Sequence, residues 1–261
     1  MRLFLYFFAL LSYPLFSQNI LNAVIEYKKY NNGFFPNTLD ATVFVNNTIT
    51  IYNPKTNTKV YKSEEDQRVM TKDVDNMYFM RIDHSKQEIL FFDRAGGHKF
   101  LVEDTYYKHN WNISNETQNI GGYECTKATM TFRDTNWIVW FTPEIPLPYG
   151  PWKLYGLPGL IIEAYDDEKE NVFRMEKIKY EKDSIFNQEF KTLVKTKNKE
   201  PIFIRKLLEM EEEFIENANA QLRSKGINMS SNQDITLPNG KIVKSRVRYR
   251  LPHEKKYEWE E

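Results

Sequence analysis

Tyr155-Gly156-Leu157-Pro158-Gly159-Leu160-Ile161 is the stretch of this chain that says most about its fold. It closes a loop holding five of the eleven prolines of the chain: Pro143, Pro146, Pro148, Pro151 and Pro158. Because proline fixes its own φ angle and biases the preceding residue toward extended geometry, we expect an ordered loop. Leu157-Pro158-Gly159-Leu160 predicts a type II turn with Gly159 at the positive-φ position. The apolar run Leu160 to Ala164 predicts a buried strand.

The N-terminus has the pattern of a signal peptide. Arg2 precedes an apolar segment from Leu3 to Leu11, and Ser17 is a small residue before a cleavage site. We therefore expect residues 1–17 to be removed and the chain to be exported to the periplasm, the outer-membrane periphery or the medium. No later segment approaches the roughly 18 apolar residues of a spanning helix, so no transmembrane segment is predicted.

Charge and cysteine content exclude other classes. The 36 Lys and Arg residues balance 36 Asp and Glu residues, so nucleic acid is not an expected partner. Cys125 is the single cysteine and cannot form an intramolecular disulfide. Since it alternates with Tyr123 in a strand-like run, a small buried residue is favoured over a reactive thiol.

Most of the chain has the patterning of β-strands joined by short connections. Gly96-Gly97 suits a tight hairpin turn, and the absence of intervening helical patterns favours an antiparallel meander. The predicted strands are 21–28, two runs within 41–52, 77–83, 88–93, 99–103, 123–133, 136–142, 160–165 and 172–180.

The apolar period becomes helical from Pro201 to Lys225. Pro201 suits a first helical turn and Gly226 a C-terminal cap. Glutamates on its polar face argue against binding to an anionic membrane. The predicted fold is α+β: a curved antiparallel sheet, or an incomplete barrel, with this long amphipathic helix packed on its concave side. The predicted domains are the signal peptide, one β-rich domain over 18–226 and a polar hairpin or tail over 227–261.

The region 120–180 contains an ordered set of motifs: Gly122 to Ala128, Trp137, Trp140 to Pro146, Gly150-Pro151, Gly156 to Ile161 and Glu163. On these features the region resembles the GLPGLI family of exported proteins from Bacteroidetes-type bacteria. The resemblance implies an exported protein of uncharacterised function with no established active site, and a sheet-and-helix shape similar to lipoprotein-carrier folds. No catalytic residue is implied.

Three histidines raise the question of a metal. His84, His98 and His109 fall in one acidic stretch, and nitrogen and oxygen ligands would suit zinc. No close pairing of ligands sets the spacing, so surface histidines are favoured and neither a metal nor a cofactor is predicted.

The proline loop is the strongest candidate binding site, because aromatic residues flank it and few charges interrupt it. The aromatic rings could wall a pocket or plug the open end of the sheet, and the plug is favoured. Glu163, within an apolar strand, is the carboxylate that burial could perturb. The predicted ligand-binding residues are Trp140, Tyr149, Trp152, Tyr155 and Glu163.

The predicted function is a non-enzymatic envelope protein that binds an apolar or amphipathic small molecule between sheet, helix and proline loop. One alternative is an interaction module that partners an outer-membrane transport or secretion complex. Another is a hydrolase using Glu163 with His98 or His109.

Overall fold

The computed structural model describes residues 22–32, 36–55, 79–181, 200–224, 234–236, 242–244 and 253–260. The predicted signal peptide and most of the predicted tail lie outside these ranges. Within them the fold is mostly antiparallel sheet with a helix packed on it. The elements are β1 Asn22–Asn31, β2 Asn37–Asn46, β3 Ile49–Lys55, β4 Met80–Asp83, β5 Glu88–Ala95, β6 His98–Asp104, β7 Asn112–Ile120, β8 Tyr123–Phe132, β9 Thr135–Thr142, β10 Leu160–Asp166, β11 Asn171–Glu181, β12 Ile202–Phe203, α1 Ile204–Ser224, β13 Asp234–Thr236 and β14 Ile242–Lys244.

The main sheet consists of two antiparallel meanders, β1 to β6 and β7 to β11. They join where β1, the first strand of one meander, pairs with β11, the last strand of the other. The strand order is β12-β6-β5-β4-β3-β2-β1-β11-β10-β9-β8-β7, and β13 and β14 form a separate pair. β1 pairs antiparallel with β2 on one side and with β11 on the other. The short β12 adds to β6 in parallel orientation.

The main sheet curls until its two ends face each other. β6 and β7 follow one another in the chain but lie ten positions apart in the sheet. In a flat sheet that separation would be about 48 Å, at about 4.8 Å per strand. Residues 105–111 make this connection and can span at most about 28 Å. The sheet therefore cannot be flat. Its edge strands, β12 and β7, do not pair with each other, so the sheet stays open.

Three elements fill the inner face of the curled sheet. They are the proline loop, the first turns of α1 and the segment 253–260. Trp152, Leu207 and Tyr257, one from each, belong to one buried cluster with inward-facing strand residues such as Ile25. The interior between sheet and helix is therefore occupied by side chains of the chain itself.

The helix covers less of the sheet than predicted. It packs mainly against β5, β6 and β12. Ile204, Leu207 and Leu208 are buried, whereas Phe214 is 51% exposed. The concave face was expected to need the helix as its cover, but the proline loop and segment 253–260 take most of that area. None of the described helical residues form a stretch long and apolar enough to cross a membrane.

The turn after Leu157 differs from the predicted type II turn. Gly156 has a positive φ of 93°, and Gly159 does not. A Cβ on Gly159 would lie 2.1 Å from the carbonyl oxygen of Thr142. Glycine is therefore required there for close backbone packing rather than for a left-handed conformation. The buried strand predicted after it is confirmed as β10.

Candidate functional site

The connection between the two ends of the sheet is rich in aromatic residues. We call residues 105–111 the seam segment, because it joins β6 to β7 across the gap that the curled sheet leaves. It carries Tyr106, Tyr107, His109 and Trp111, and each is partly exposed. Four ring side chains in seven residues give this rim of the domain an aromatic surface.

Hydrogen bonds from the proline loop hold the seam segment in place. The indole N–H of Trp111 donates to the carbonyl oxygen of Tyr155 at 2.9 Å. The ring Nε2–H of His109 donates to the carbonyl oxygen of Lys153 at 2.8 Å. The Tyr155 hydroxyl donates to the carbonyl oxygen of Tyr107 at 2.9 Å. The seam segment is thus attached to a scaffold at three points along its length.

Tyr155 is the centre of the aromatic packing. Tyr106 stacks on it with ring centroids 5.0 Å apart and planes at 24°. His84 meets its edge at 4.9 Å, and His109 lies 4.6 Å from its centroid. His84 also lies 4.7 Å from the ring of Tyr149. Two histidines from distant parts of the chain therefore pack against one tyrosine.

Burial keeps both histidines neutral at pH 7. It lowers the pKa of His84 to about 4, with the charge of Asp83 opposing the shift. Burial likewise lowers the pKa of His109 to about 4. His84 Nδ1 lies 3.1 Å from the Tyr106 hydroxyl. The two imidazoles therefore add no positive charge to the aromatic rim at pH 7. Its rings nevertheless carry polar nitrogen and hydroxyl groups.

Four buried charges lie behind the rim. We call Asp104, Arg133, Lys153 and Glu254 the ion network; each side chain is at most 2% exposed. Arg133 donates to both oxygens of Asp104, at 2.7 and 3.0 Å, and to Glu254 at 2.8 Å. Lys153 contacts Asp104 at 2.5 Å and also contacts Glu254.

The ion network is electrically balanced, with two cations and two anions. Burial alone would raise the pKa of the Asp104 carboxyl, but the charges of Lys153 and Arg133 outweigh it and hold that pKa below its usual value. Burying charges is costly unless they are paired and hydrogen-bonded. The network therefore fixes the relative positions of β6, the β8–β9 turn, the proline loop and segment 253–260.

The structure separates the five predicted ligand-binding residues. Glu163 is directly opposite Trp140 on adjacent strands, whereas Ala164 is opposite Val139. Trp140 and Glu163 hence share the outer face of the sheet. Trp152 packs on Trp137, on the Val139 face, with ring centroids 5.5 Å apart. The five side chains do not line one pocket.

The three predicted loop aromatics act as a plug in this structure. Tyr149, Trp152 and Tyr155 are only 5–7% exposed. Glu163 accepts from Arg174 at 2.9 Å on the outer face. It is thus on the opposite side of the sheet from His109, so the proposed pairing of Glu163 with His109 does not form.

The structure also places the remaining candidate groups, which are the predicted histidines and the single cysteine. His98 lies exposed at the β5–β6 turn, away from His84 and His109. Among the described residues no three His, Cys, Asp or Glu side chains converge as metal ligands. Cys125 is fully buried, and burial raises the pKa of its thiol to about 11.

Sequence reasoning missed the seam segment apart from His109. The run Thr105-Tyr106-Tyr107-Lys108-His109-Asn110-Trp111 has the aromatic density that could have indicated it. Its contact residues His84 and Tyr155 lie in other segments of the chain. Local spacing patterns in the sequence do not predict such contacts.

Comparison with known proteins identifies the family. The family model described as "N-glycanase peptide, N-terminal domain" matches residues 25–204, well over half of the 261-residue chain. The chain belongs to this family. The assignment to the GLPGLI family is therefore wrong, although the motif that suggested it is a real feature of the loop. No curated protein matches the chain at a significant level.

Solved structures show the same fold. Two structures of PNGF-II, in the C2 and P21 space groups, align with TM-scores of 0.52 and 0.51 at 16% identity. Each alignment covers 74% of this chain, which spans about a third of the length of those structures. A LolA superfamily protein from Nitrosomonas europaea aligns over 67% of this chain and 93% of its own, with 8% identity and a TM-score of 0.27.

The family also corrects the predicted function. An envelope protein that binds an apolar ligand was expected from the aromatic loop and from the missing catalytic signature. Membership of the N-glycanase peptide N-terminal domain family indicates a glycanase-related module instead, and the loop aromatics fill the core.

Proposed function

We propose that this member of the N-glycanase peptide N-terminal domain family is a glycanase-related module that contacts the glycan of an N-glycanase substrate. The contact surface is the aromatic rim of the seam segment. Family membership supports the link to asparagine-linked glycans. The match to one third of the PNGF-II structures leaves room for catalysis elsewhere in such a protein.

The aromatic rim is the observation that carries the proposal. A pyranose ring presents a face of C–H bonds, which packs on the electron-rich face of an aromatic ring. Tyr106, Tyr107 and Trp111 are partly exposed in one short segment. His84 and His109 are neutral beside them, so nothing in this cluster repels an uncharged sugar.

The rim is also preorganised. Binding that orders loose side chains loses affinity to conformational entropy. Here the seam segment is attached to Lys153 and Tyr155 before any ligand arrives. Functional loops on a rigid scaffold follow the same logic.

A catalytic role for the rim itself is disfavoured. Hydrolysis of an amide needs a positioned acid or base that is able to exchange protons. Three carboxylates close to the rim in sequence or by contact are already paired with cations. Asp83 pairs with Arg81, while Asp104 and Glu258 pair with Arg133.

The other parts of the proposal follow from the sequence. Cleavage after residue 17 would place the module outside the cytoplasm, where exported glycoproteins are found. The module itself would extend over residues 18–226, with the core contribution of segment 253–260 added to it.

The test is a binding measurement on the mature chain. The probes are an asparagine-linked oligomannose glycopeptide and the same peptide without the glycan. We expect calorimetry to detect binding of the glycopeptide alone. Tyr106→Ala and Trp111→Ala should each weaken it at least about tenfold, the range of truncated aromatic anchors.

The control variant is Tyr180→Ala. Tyr180 is 54% exposed on β11, away from the rim, and its loss should leave the affinity unchanged. Each variant is first checked for an unaltered melting temperature. Equal affinity for the two peptides, or unaltered binding in both rim variants, would refute the proposal.

A further inference from the structure

The segment 253–260 completes the core of the domain from outside the region that the family model matches. The family match ends at residue 204. Glu254 and Tyr257 nevertheless lie 3% and 2% exposed in the core. The segment contains no strand or helix and takes no part in the sheet. It therefore occupies its place as a docked peptide would.

The charge of the groove beneath it demands an anion. Asp104, Arg133 and Lys153 all lie within the family-matched region. These three buried side chains sum to one positive charge, and the Glu254 carboxylate balances it through Arg133 at 2.8 Å and through Lys153. An uncompensated buried charge is strongly destabilising, so the groove favours a ligand that brings a carboxylate into it. Glu258 of the same segment adds a second, 39% exposed carboxylate, which lies 2.9 Å from Arg133.

Aromatic anchors give the groove its second specificity. Tyr257 lies under the guanidinium of Arg133, whose carbon is 4.6 Å from the ring centroid. Trp259, which is partly buried, stacks on Tyr257 within the segment at 4.9 Å with planes at 13°, and its ring centroid lies 6.3 Å from that of Phe203. A buried aromatic anchor such as Tyr257 beside a charged pair is typical of the residues that dominate binding energy.

Backbone hydrogen bonds align the docked segment. The N–H groups of Lys255 and Lys256 donate to the carbonyl oxygen of Arg133 at 3.0 and 3.2 Å. The Thr135 hydroxyl donates to the carbonyl oxygen of His253 at 3.1 Å. The contacting side chains of the segment are thus a glutamate, a tyrosine three residues after it and a tryptophan two residues after the tyrosine.

We infer that the groove formed by Asp104, Arg133, Thr135 and Lys153 is a docking site for acidic aromatic peptides, filled here by residues 253–260. The same groove accepts a peptide of this Glu-x-x-Tyr-x-Trp chemistry from another chain. Residues 225–252 link the segment covalently to α1 in the sequence, and we call this covalent link the tether. A ligand on the same chain as its site has a raised local concentration, of the order of millimolar, so the segment in cis excludes weak competitors.

The experiment releases the tether in the full chain. A protease site is introduced within residues 245–252, and a fluorescent peptide of residues 253–260 is added before and after cleavage. We expect no capture by the uncleaved chain and saturable capture by the cleaved chain, followed by fluorescence anisotropy. Native mass spectrometry should show one peptide per domain.

Matched peptides decide the chemistry. A peptide with Glu254→Gln should bind at least about a hundredfold more weakly, since a buried cation pair is left unbalanced. A Lys256→Gln peptide should bind like the parent, because Lys256 is exposed. Failure of the cleaved chain to capture peptide, its unfolding on cleavage, or equal binding of the Glu254→Gln peptide would each overturn the inference. None of these results depends on glycan binding.

Discussion

Arg133 and Asp104 form a buried bidentate ion pair between strands at opposite ends of the sheet. Two guanidinium nitrogens of Arg133 donate to the two carboxylate oxygens of Asp104 at 2.7 and 3.0 Å. Asp104 ends β6 and Arg133 follows β8, and these strands lie nine positions apart in the sheet order. The pair therefore holds the curled sheet in its observed shape. It also sets the place of the seam segment, which begins one residue after Asp104.

Removing one partner of this pair should be costly. Arg133→Met is expected to lower the free energy of unfolding by about 3–5 kcal/mol, because it leaves the two buried carboxylates of Asp104 and Glu254 with Lys153 as their one shared cation. The exposed pair Arg174–Glu163 is the matched control, as the Arg174 side chain is 57% exposed. Arg174→Met should cost about 0–1 kcal/mol. Urea unfolding of both variants measures the difference, and equal losses would contradict the role given to Arg133.

Stability should fall as the solution is acidified from pH 6.5 toward pH 4. His84 and His109 each have a pKa of about 4 when folded, against about 6.5 when unfolded. The unfolded chain therefore binds more protons in this window. Above pH 6.5 the full stability is present, and each histidine should remove about 3 kcal/mol by pH 4.

A histidine variant isolates this contribution. The free energy of unfolding of His84→Gln should change less between pH 7 and pH 4 than that of the unsubstituted chain, because one of the shifted groups is gone. Chemical denaturation at several pH values measures it. Parallel pH profiles for the two proteins would show that His84 does not titrate as described.

Gly159→Ala should be more disruptive than a comparable change at a turn glycine. Its new methyl group would lie 2.1 Å from the carbonyl oxygen of Thr142, so we expect a loss of about 3 kcal/mol or more. Gly122 has a φ of +91° and open space around it, and Gly122→Ala should cost only about 1–2 kcal/mol. Thermal melts rank the two; a milder effect at Gly159 would argue against the close approach.

Cys125 should be unreactive in the folded protein. It is fully buried, and burial raises its pKa to about 11, so little thiolate is available at pH 7.5. A chromogenic disulfide reagent should label it only after unfolding in denaturant. Rapid labelling under native conditions would show that β8 is more open than described.

Strands with one buried face were predictable from the sequence, whereas exposed ones were not. β1 alternates between buried and partly exposed residues, and the alternation predicted it. β7 was missed because its residues are nearly all exposed, with Ile113 and Ile120 at its ends as the only aliphatic side chains. An edge strand that is exposed to solvent on both faces shows no alternation of apolar and polar residues.

The sheet order and the site depend on contacts that local patterns do not contain. Lys153 meets Glu254 across 101 residues of chain, and Tyr27 donates to the carbonyl oxygen of Ile161 across 134. The aromatic character of the proline loop was visible in sequence. Its function as a core plug depends on the curling of the sheet, which follows from the pairing of β1 with β11 together with the short connection from β6 to β7.

The most direct test of the account maps where a glycan binds. The isotope-labelled mature chain is titrated with the oligomannose glycopeptide and, separately, with the peptide lacking the glycan, and the indole N–H signal of Trp111 is followed by NMR. The account predicts that this signal and the amides of the seam segment shift with the glycopeptide alone. An unmoved Trp111 signal at saturating glycopeptide, or equal shifts with both peptides, would contradict it.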